Sequence, residues 1–240
     1  MPSSPSSADL QGRVVSGHGR HVVVEADDGS RTLCHARGKK SEYVVGDRVR
    51  WQRSGDEGVV EAVLPRQNLL YRQDAWKTKA FAANLDQLLV VVAAEPVFSE
   101  SQLARALIAA LAAGIASRII LNKHDLPGWP AAATRLAPYT AMGIEVVGLA
   151  LKQDPAQAHE RLAPLLAGRT TLVLGPSGAG KSTLVNLLVA DAKAQVGEIS
   201  QALNSGRHTT TATHWYWIDA ARQSALIDSP GFQELSLIHI

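Results

Sequence analysis

Hydrophobic residues are spaced in two different ways along the chain, and the change falls near residue 71. From Leu10 to Tyr71 they come in short groups separated by turn signals. Gly12–Ser16 and His21–Glu25 read as strands, Asp27-Asp-Gly-Ser30 as a hairpin turn, and Arg31–Ala36 as the strand that follows. Gly46-Asp47 turns the chain into Arg48–Trp51, and Gly58–Leu64 closes the run. Five short strands in this stretch predict a small β-barrel. An OB-fold fits best, because that architecture uses five strands and commonly binds oligonucleotides. An SH3-like barrel serving as a spacer fits the same pattern.

After a linker over Arg66–Ala83, continuous apolar runs alternate with helical periodicity. Leu88–Ala94 is apolar throughout, as a parallel strand covered on both faces requires. Ser101–Ala113 repeats at helical spacing, with Ser99 or Ser101 placed to cap it. Further strands are expected at Arg118–Leu121, Glu145–Leu149 and Thr171–Leu174, and helices at Ala131–Leu136, Pro155–Leu166 and Ser182–Ala190. A last strand pair falls at Thr213–Asp219 and Ser224–Asp228. The whole predicts a sheet with helices on both faces. The expected division is a disordered tail over 1–9, a barrel over 10–71 and an α/β domain over 72–234.

Composition narrows this little. Hydrophobic residues make up 46% and charged residues 19%, ordinary for a globular protein. The net charge of +2 is too small to argue for nucleic acid by itself. Residues 1–80 carry 13 Lys/Arg against 10 Asp/Glu and the rest 11 against 12, so only the barrel half is mildly basic, which permits RNA contact. Cys34 is the single cysteine, so no disulfide forms within the chain. Met1–Ala8 is rich in Ser and Pro and lacks the basic and apolar segments of a signal peptide. The apolar stretch Ala106–Ala116 is too short to span a bilayer. A cytoplasmic protein with no membrane contact is expected.

Three motifs carry the chemistry. Gly175-Pro176-Ser177-Gly178-Ala179-Gly180-Lys181-Ser182 matches G-x-x-x-x-G-K-[ST], between an expected strand and an expected helix that begins Ser182-Thr183. Glycines let the backbone N–H groups wrap phosphates, and the helix N-terminus adds a favourable dipole. Lys181 bridges the outer phosphates in such loops, and the Ser182 hydroxyl ligates Mg²⁺. The same spelling is common in transporter-type ATPases, so the loop does not name the base. Asn122-Lys123-His124-Asp125 follows a strand, where α/β sheets place ligand contacts. In N-K-x-D the Asp carboxylate accepts from guanine N1–H and the 2-amino group, donors adenine does not present, so a dry carboxylate left unpaired disfavours ATP. Asp228-Ser-Pro-Gly231 fits D-x-x-G, with Asp228 holding Mg²⁺ through water and the Gly231 N–H meeting the γ-phosphate. Gly206-Arg-His208-Thr209-Thr210-Thr211 lies between loop and strand, where a switch segment belongs. Thr209 or Thr210 is expected to complete the Mg²⁺ shell, and spacing does not decide which.

The order of these motifs is unusual: N-K-x-D precedes the phosphate loop instead of following it. With a barrel in front and G-R-H-T-T-T as the switch, the chain resembles the ribosome small-subunit-dependent GTPase A family of circularly permuted GTPases. Gly46-Asp-Arg-Val49, Arg66–Arg72, Ala83–Gln87 and Asp228–Leu235 add to the resemblance, which covers residues 10–235. It implies an OB-fold followed by a P-loop GTPase domain, GTP hydrolysis to GDP stimulated by the small ribosomal subunit, rRNA contact and late subunit maturation, by a protein expected to be a monomer. A nucleotide-gated RNA-binding module with incidental hydrolysis is the alternative of another class, and a general P-loop ATPase a third. Phe232 stands where Ras-like enzymes place a water-orienting glutamine, so intrinsic turnover is expected to be slow. His208 is the residue offered for that role, against a solvated loop histidine.

Two departures stand out. The second guanine-contact motif of such enzymes should lie near Gly148–Lys152, and the fit is poor. Family members also continue into a zinc domain with three cysteines and a histidine, ligands that this chain, ending at Ile240, does not contain. Leu235–Ile240 reads like the translation of a transposon end used in sequencing libraries, so 235–240 is expected to be an artefactual tail. Without the helix expected after Phe232, poor solubility and weak subunit coupling are expected.

Overall fold

The computed structural model describes residues 10–18, 21–37, 43–73, 78–189 and 213–229. Strands β1 (Leu10–His18), β2 (His21–Ala26), β3 (Arg31–Ala36), β4 (Arg48–Ser54) and β5 (Glu57–Val63) build the first unit. They pair in the order β1-β2-β3-β5-β4, and β4 returns to β1 through Leu10↔Trp51 to Arg13↔Arg48, which closes the barrel. Four of the five pairings are antiparallel, and β3–β5 is parallel. The OB-fold reading stands. Inside lie Val14, Val22, Val24, Cys34, Val49, Trp51 and Val60.

β2 shows why the barrel half does not alternate cleanly between polar and apolar. Val22 and Val24 face the barrel interior, while Val23 joins Val15 and Leu33 in a different core, packed against the second unit. A strand covered on both sides reads as a near-continuous apolar run, as Val22–Val24 does here.

The second unit holds β8 (Gln87–Ala93), α1 (Glu100–Ala112), β9 (Ala116–Asn122), α2 (Trp129–Ala141), β10 (Glu145–Gly148), α3 (Pro155–Leu166), β11 (Thr170–Leu174), α4 (Lys181–Leu188), β12 (His214–Trp217) and β13 (Ala225–Asp228). Its six strands run β10-β9-β8-β11-β13-β12, all parallel except β12. All seven residues of β8 are buried. Leu88, Val90 and Val92 point to the core under α1 and α2, and Leu89 and Val91 to the core under α3 and α4. Helices therefore cover both faces, as the apolar runs predict.

Local chemistry sets the helix ends. Ser99 Oγ accepts from Gln102 N and caps α1, and Asp154 caps α3 the same way through Gln157 N. The helix expected to end at Leu136 continues to Ala141. Pro138 sits within α2, where a helical reading of the sequence would stop.

The stretch read as a linker contains a hairpin, β6 (Leu69–Gln73) with β7 (Thr78–Ala83). Its ends are fastened by side chains. Arg66 forms a two-pronged ion pair with the fully buried Asp47, Nε to Oδ1 at 2.7 Å and Nη2 to Oδ2 at 2.8 Å. Asn84 Nδ2 donates to Gly46 O, and Asn68 bonds both backbone groups of Leu85. The barrel also meets the sheet directly: β1 touches β12 at Ser16↔His214, making one continuous sheet.

Candidate functional site

The central strands all run the same way, so β9, β8 and β11 end at one edge of the sheet, and the loops after them converge there. β9 ends in Asn122, which opens Asn122-Lys123-His124-Asp125, and β11 runs into Gly175. The two motifs lie 50 residues apart in sequence yet are separated by one strand.

Asn122 joins them. Its buried amide donates from Nδ2 to Ala179 O of the phosphate loop at 2.9 Å, and its Oδ1 accepts from Leu151 N at 3.1 Å. Gly180 sits against that amide at φ 111°, and a Cβ there would collide with Asn122 Nδ2. Only glycine meets both demands, a left-handed backbone and this close approach.

Around Asn122-Lys123-His124-Asp125, His124 N donates to Leu149 O and Leu149 N to Leu121 O. His124 packs edge-on against Trp129, ring centroids 4.3 Å apart. Lys123 has φ 61°, a left-handed conformation costing a side chain roughly 1–2 kcal/mol, and its ammonium donates to Glu95 O. Asp125 is exposed at this edge. The Leu149–Leu151 segment, which matches no guanine motif by sequence, is thus held beside Asn122 and His124 by backbone bonds. Its side chains carry no signal, because what positions it is main chain.

At the phosphate end, α4 begins at Lys181 directly after the left-handed Gly180. Lys181 Nζ folds back over the loop and donates to Gly175 O at 2.6 Å and Pro176 O at 2.9 Å. An ammonium has three donors, so one remains for a ligand oxygen. Ser177, Gly178, Ser182 and Thr183 are exposed around the loop and the first turn of α4. Asp228 ends β13, beside β11 in register Val173↔Asp228. Burial pushes the Asp228 carboxyl up and the nearby Lys181 ammonium pulls it back; burial pushes Lys181 down and Asp228 opposes this. Each group is a partly dried charge that gains from an opposite charge in the cleft. A hydroxyl and a carboxylate beside a phosphate loop fit Mg²⁺, a hard cation that takes oxygen ligands and keeps several waters.

The structure therefore brings together Asn122, Lys123, His124, the loop Gly175–Ser182 and Asp228. His208, Thr209, Thr210 and Gly231 lie outside the described residues, as do 1–9 and 235–240. No helix among the described residues is long and apolar enough to cross a membrane.

Comparison with known proteins agrees with this geometry. Residues 63–238 match the model of the RsgA GTPase family. A small ribosomal subunit biogenesis GTPase of Variovorax paradoxus is 61% identical over 230 residues, covering 95% of this chain and 72% of that protein. One from Burkholderia pseudomallei is 55% identical over 242 residues, covering 100% and 76%. The crystal structure of YjeQ from Thermotoga maritima superposes with a TM-score of 0.65 at 29% identity, over 93% of this chain and 75% of that one. YloQ, described as a circularly permuted GTPase, gives the same TM-score at 23% identity and shows the same fold. The chain belongs to the RsgA GTPase family.

Proposed function

We propose that the cleft between Asn122–Asp125 and Gly175–Thr183 binds GTP with Mg²⁺ and hydrolyses it to GDP and phosphate in the biogenesis of the small ribosomal subunit. The observation that carries the reading is the Asn122 Nδ2 bond to Ala179 O, which puts the base-recognising loop against the phosphate loop. The names of the relatives, small ribosomal subunit biogenesis GTPases, supply the process.

Within the cleft, Asp125 selects guanine by accepting its N1–H and 2-amino protons. Backbone N–H groups of Gly178–Ser182 hold the phosphates, with Lys181 across the outer ones. Ser182, Asp228 and one of Thr209 and Thr210 would hold Mg²⁺, which when bound neutralises charge between the outer phosphates. Gly231 N–H would meet the γ-phosphate, and His208 would orient the attacking water.

Phe232 offers no hydrogen bond to water, so intrinsic turnover is slow, and stimulation by a partner that orders the switches is expected to reach about 10³–10⁵-fold. Exposed Arg37, Arg50 and Arg53 on the barrel supply cationic groups for rRNA phosphates. The division into a barrel over 10–71 and a GTPase unit over 72–234, a monomeric state and a cytoplasmic location belong to the same proposal.

GTP turnover measured with and without purified small subunits tests it. Stimulation by subunits and none by an equal charge of unstructured RNA is expected. Equal turnover under both conditions would favour an RNA-binding module with incidental hydrolysis, and ATP used as readily as GTP would contradict guanine recognition.

A further inference from the structure

The turn between β8 and α1 belongs to no nucleotide motif, yet it touches two of them. Its two ends are fixed. Ala94 is buried where β8 finishes, and Phe98 is 3% exposed. Arg135 of α2 donates from Nη2 to Phe98 O at 3.0 Å, lays its guanidinium 4.2 Å over the Phe98 ring, and pairs through Nε with Glu100 at 2.9 Å. Ser99 then caps α1.

Between these anchors Glu95, Pro96 and Val97 stand out of the core, and Val97 is 72% exposed. A branched apolar side chain in that position is not explained by packing among the described residues. The turn leans on the site at two points. Glu95 O accepts the ammonium of Lys123, the lysine of Asn122-Lys123-His124-Asp125. Pro96 lies against the phosphate loop: a methyl group built on Gly178 would come 3.3 Å from Pro96 Cδ and 3.5 Å from its Cγ.

We propose that Glu95–Val97 forms a third wall of the nucleotide cleft, over the sugar and diphosphate part of a guanine nucleotide, and that Pro96 is a positioning residue for both ends of that cleft. The inference rests on the GTP-binding reading above. Lys123 belongs to the base end and Gly178 to the phosphate end, so a turn that touches both must span what lies between.

Proline suits the task for two reasons. Its ring fixes its own φ and narrows the backbone choices of the residue before it, so Pro96 sets the direction of the Glu95 carbonyl. The same ring rests on Gly178, a residue at φ 78° with no side chain to fix its conformation. The N–H groups of a phosphate loop bind only when they point at one centre. A loop braced from outside therefore spends more time in the competent form, which raises affinity without touching the chemical step. The carbonyl of Glu95 is main chain, so Pro96 is the residue through which the brace can be released.

The experiment uses the full chain carrying Pro96→Gly, with Pro96→Ala as a milder second variant. Dissociation constants and off-rates are measured for GDP and for GTP by equilibrium dialysis and filter binding. Single-turnover hydrolysis at saturating GTP and the melting temperature of the nucleotide-free protein are measured alongside. If release of the brace lowers the competent fraction of the nucleotide-free loop to about a tenth, both dissociation constants rise about tenfold through slower association, with the off-rates little changed. Pro96→Ala falls between wild type and Pro96→Gly. The dissociation constants shift by a larger factor than the saturated single-turnover rate, and the nucleotide-free melting temperature falls only by the small amount that losing a loop proline costs through the unfolded chain. Wild-type affinities in both variants would overturn the inference. So would an affinity loss accompanied by a matching fall in the nucleotide-free melting temperature, since that is the mark of a mere structural connector. Failure of the underlying reading is separately visible, because wild-type protein would then take up neither GDP nor GTP.

Discussion

The barrel and the sheet solve the problem of burying apolar surface differently. The barrel closes on itself, so each strand has one inward face and the core is a cluster of small valines around Trp51 and Cys34. The sheet has two covered faces, and its central strand β8 is buried at every position. The difference decides where chemistry can sit. A closed barrel offers only its rim and outer surface, whereas a parallel sheet collects the ends of its strands at one edge, where backbone groups and loops meet a ligand. All of the described nucleotide motifs lie in the sheet half. The barrel touches that half through β12, the strand that pairs with β13 and so lies beside Asp228.

The two regions should therefore fail separately, and the largest effect is expected in the barrel. Trp51→Ala removes a fully buried ring that contacts Gly58 and should cost about 3–5 kcal/mol of barrel stability. Thermal or urea unfolding would show it as an early transition, while GDP affinity measured below that transition stays at the wild-type value. Lys181→Ala does the reverse. It should lower GTP turnover by about 10²–10³-fold, the cost of one preorganised charge-stabilising donor, and leave unfolding of the barrel in place.

A smaller effect is expected at the seam. Arg13 of β1 stacks on Trp215 and Trp217 of β12, 4.2 and 5.2 Å from the ring centroids. Trp217 Nε1 donates to the buried Glu25 at 2.6 Å. Trp217→Phe keeps an aromatic side chain, though a smaller one, and removes that donor, so a loss of roughly 1–3 kcal/mol is expected for an acceptor left short of a partner. Double-mutant cycles with Glu25→Gln would locate it at the pair. The smallest effect is chemical: burial raises the Cys34 thiol to about 12. Because the thiolate is the reactive form, a thiol reagent at neutral pH should label native protein slowly and urea-unfolded protein fast. Native labelling should speed up only as pH climbs toward that value.

Much of this was legible in the sequence, for identifiable reasons. Continuous apolar runs at Leu88–Ala94 mark a strand covered twice, and a phosphate loop announces itself by glycines whose backbone geometry admits little else. What the sequence hides is carried by main chain or by contacts between distant residues. Leu149–Leu151 sits beside Asn122 through N–H and C=O groups that any residue supplies. The brace at Glu95–Pro96 depends on a carbonyl. The hairpin Leu69–Ala83 reads as a linker because its pairing is short, and the residues that fasten it gain their meaning only in space. Asp47 meets Arg66, and Asn84 meets Gly46. Those same stretches, Gly46–Val49, Arg66–Arg72 and Ala83–Gln87, carry much of the family resemblance. In the structure they hold the barrel, the hairpin and the first sheet strand together.

The central claim is that Asp125 and Lys181 line opposite ends of one cleft that reads guanine. Substitution of Asp125 by asparagine tests it most directly, because an amide can donate to the 2-oxo group of xanthine where the carboxylate accepted from the 2-amino group of guanine. Calorimetric titration of wild-type and Asp125→Asn protein with GDP and XDP should show a reversal. Guanine affinity should fall by about 10–100-fold, as loss of hydrogen bonds to a charged acceptor implies, and xanthine affinity should rise. Unchanged preference in the variant, or equal binding of both nucleotides by wild type, would contradict the account.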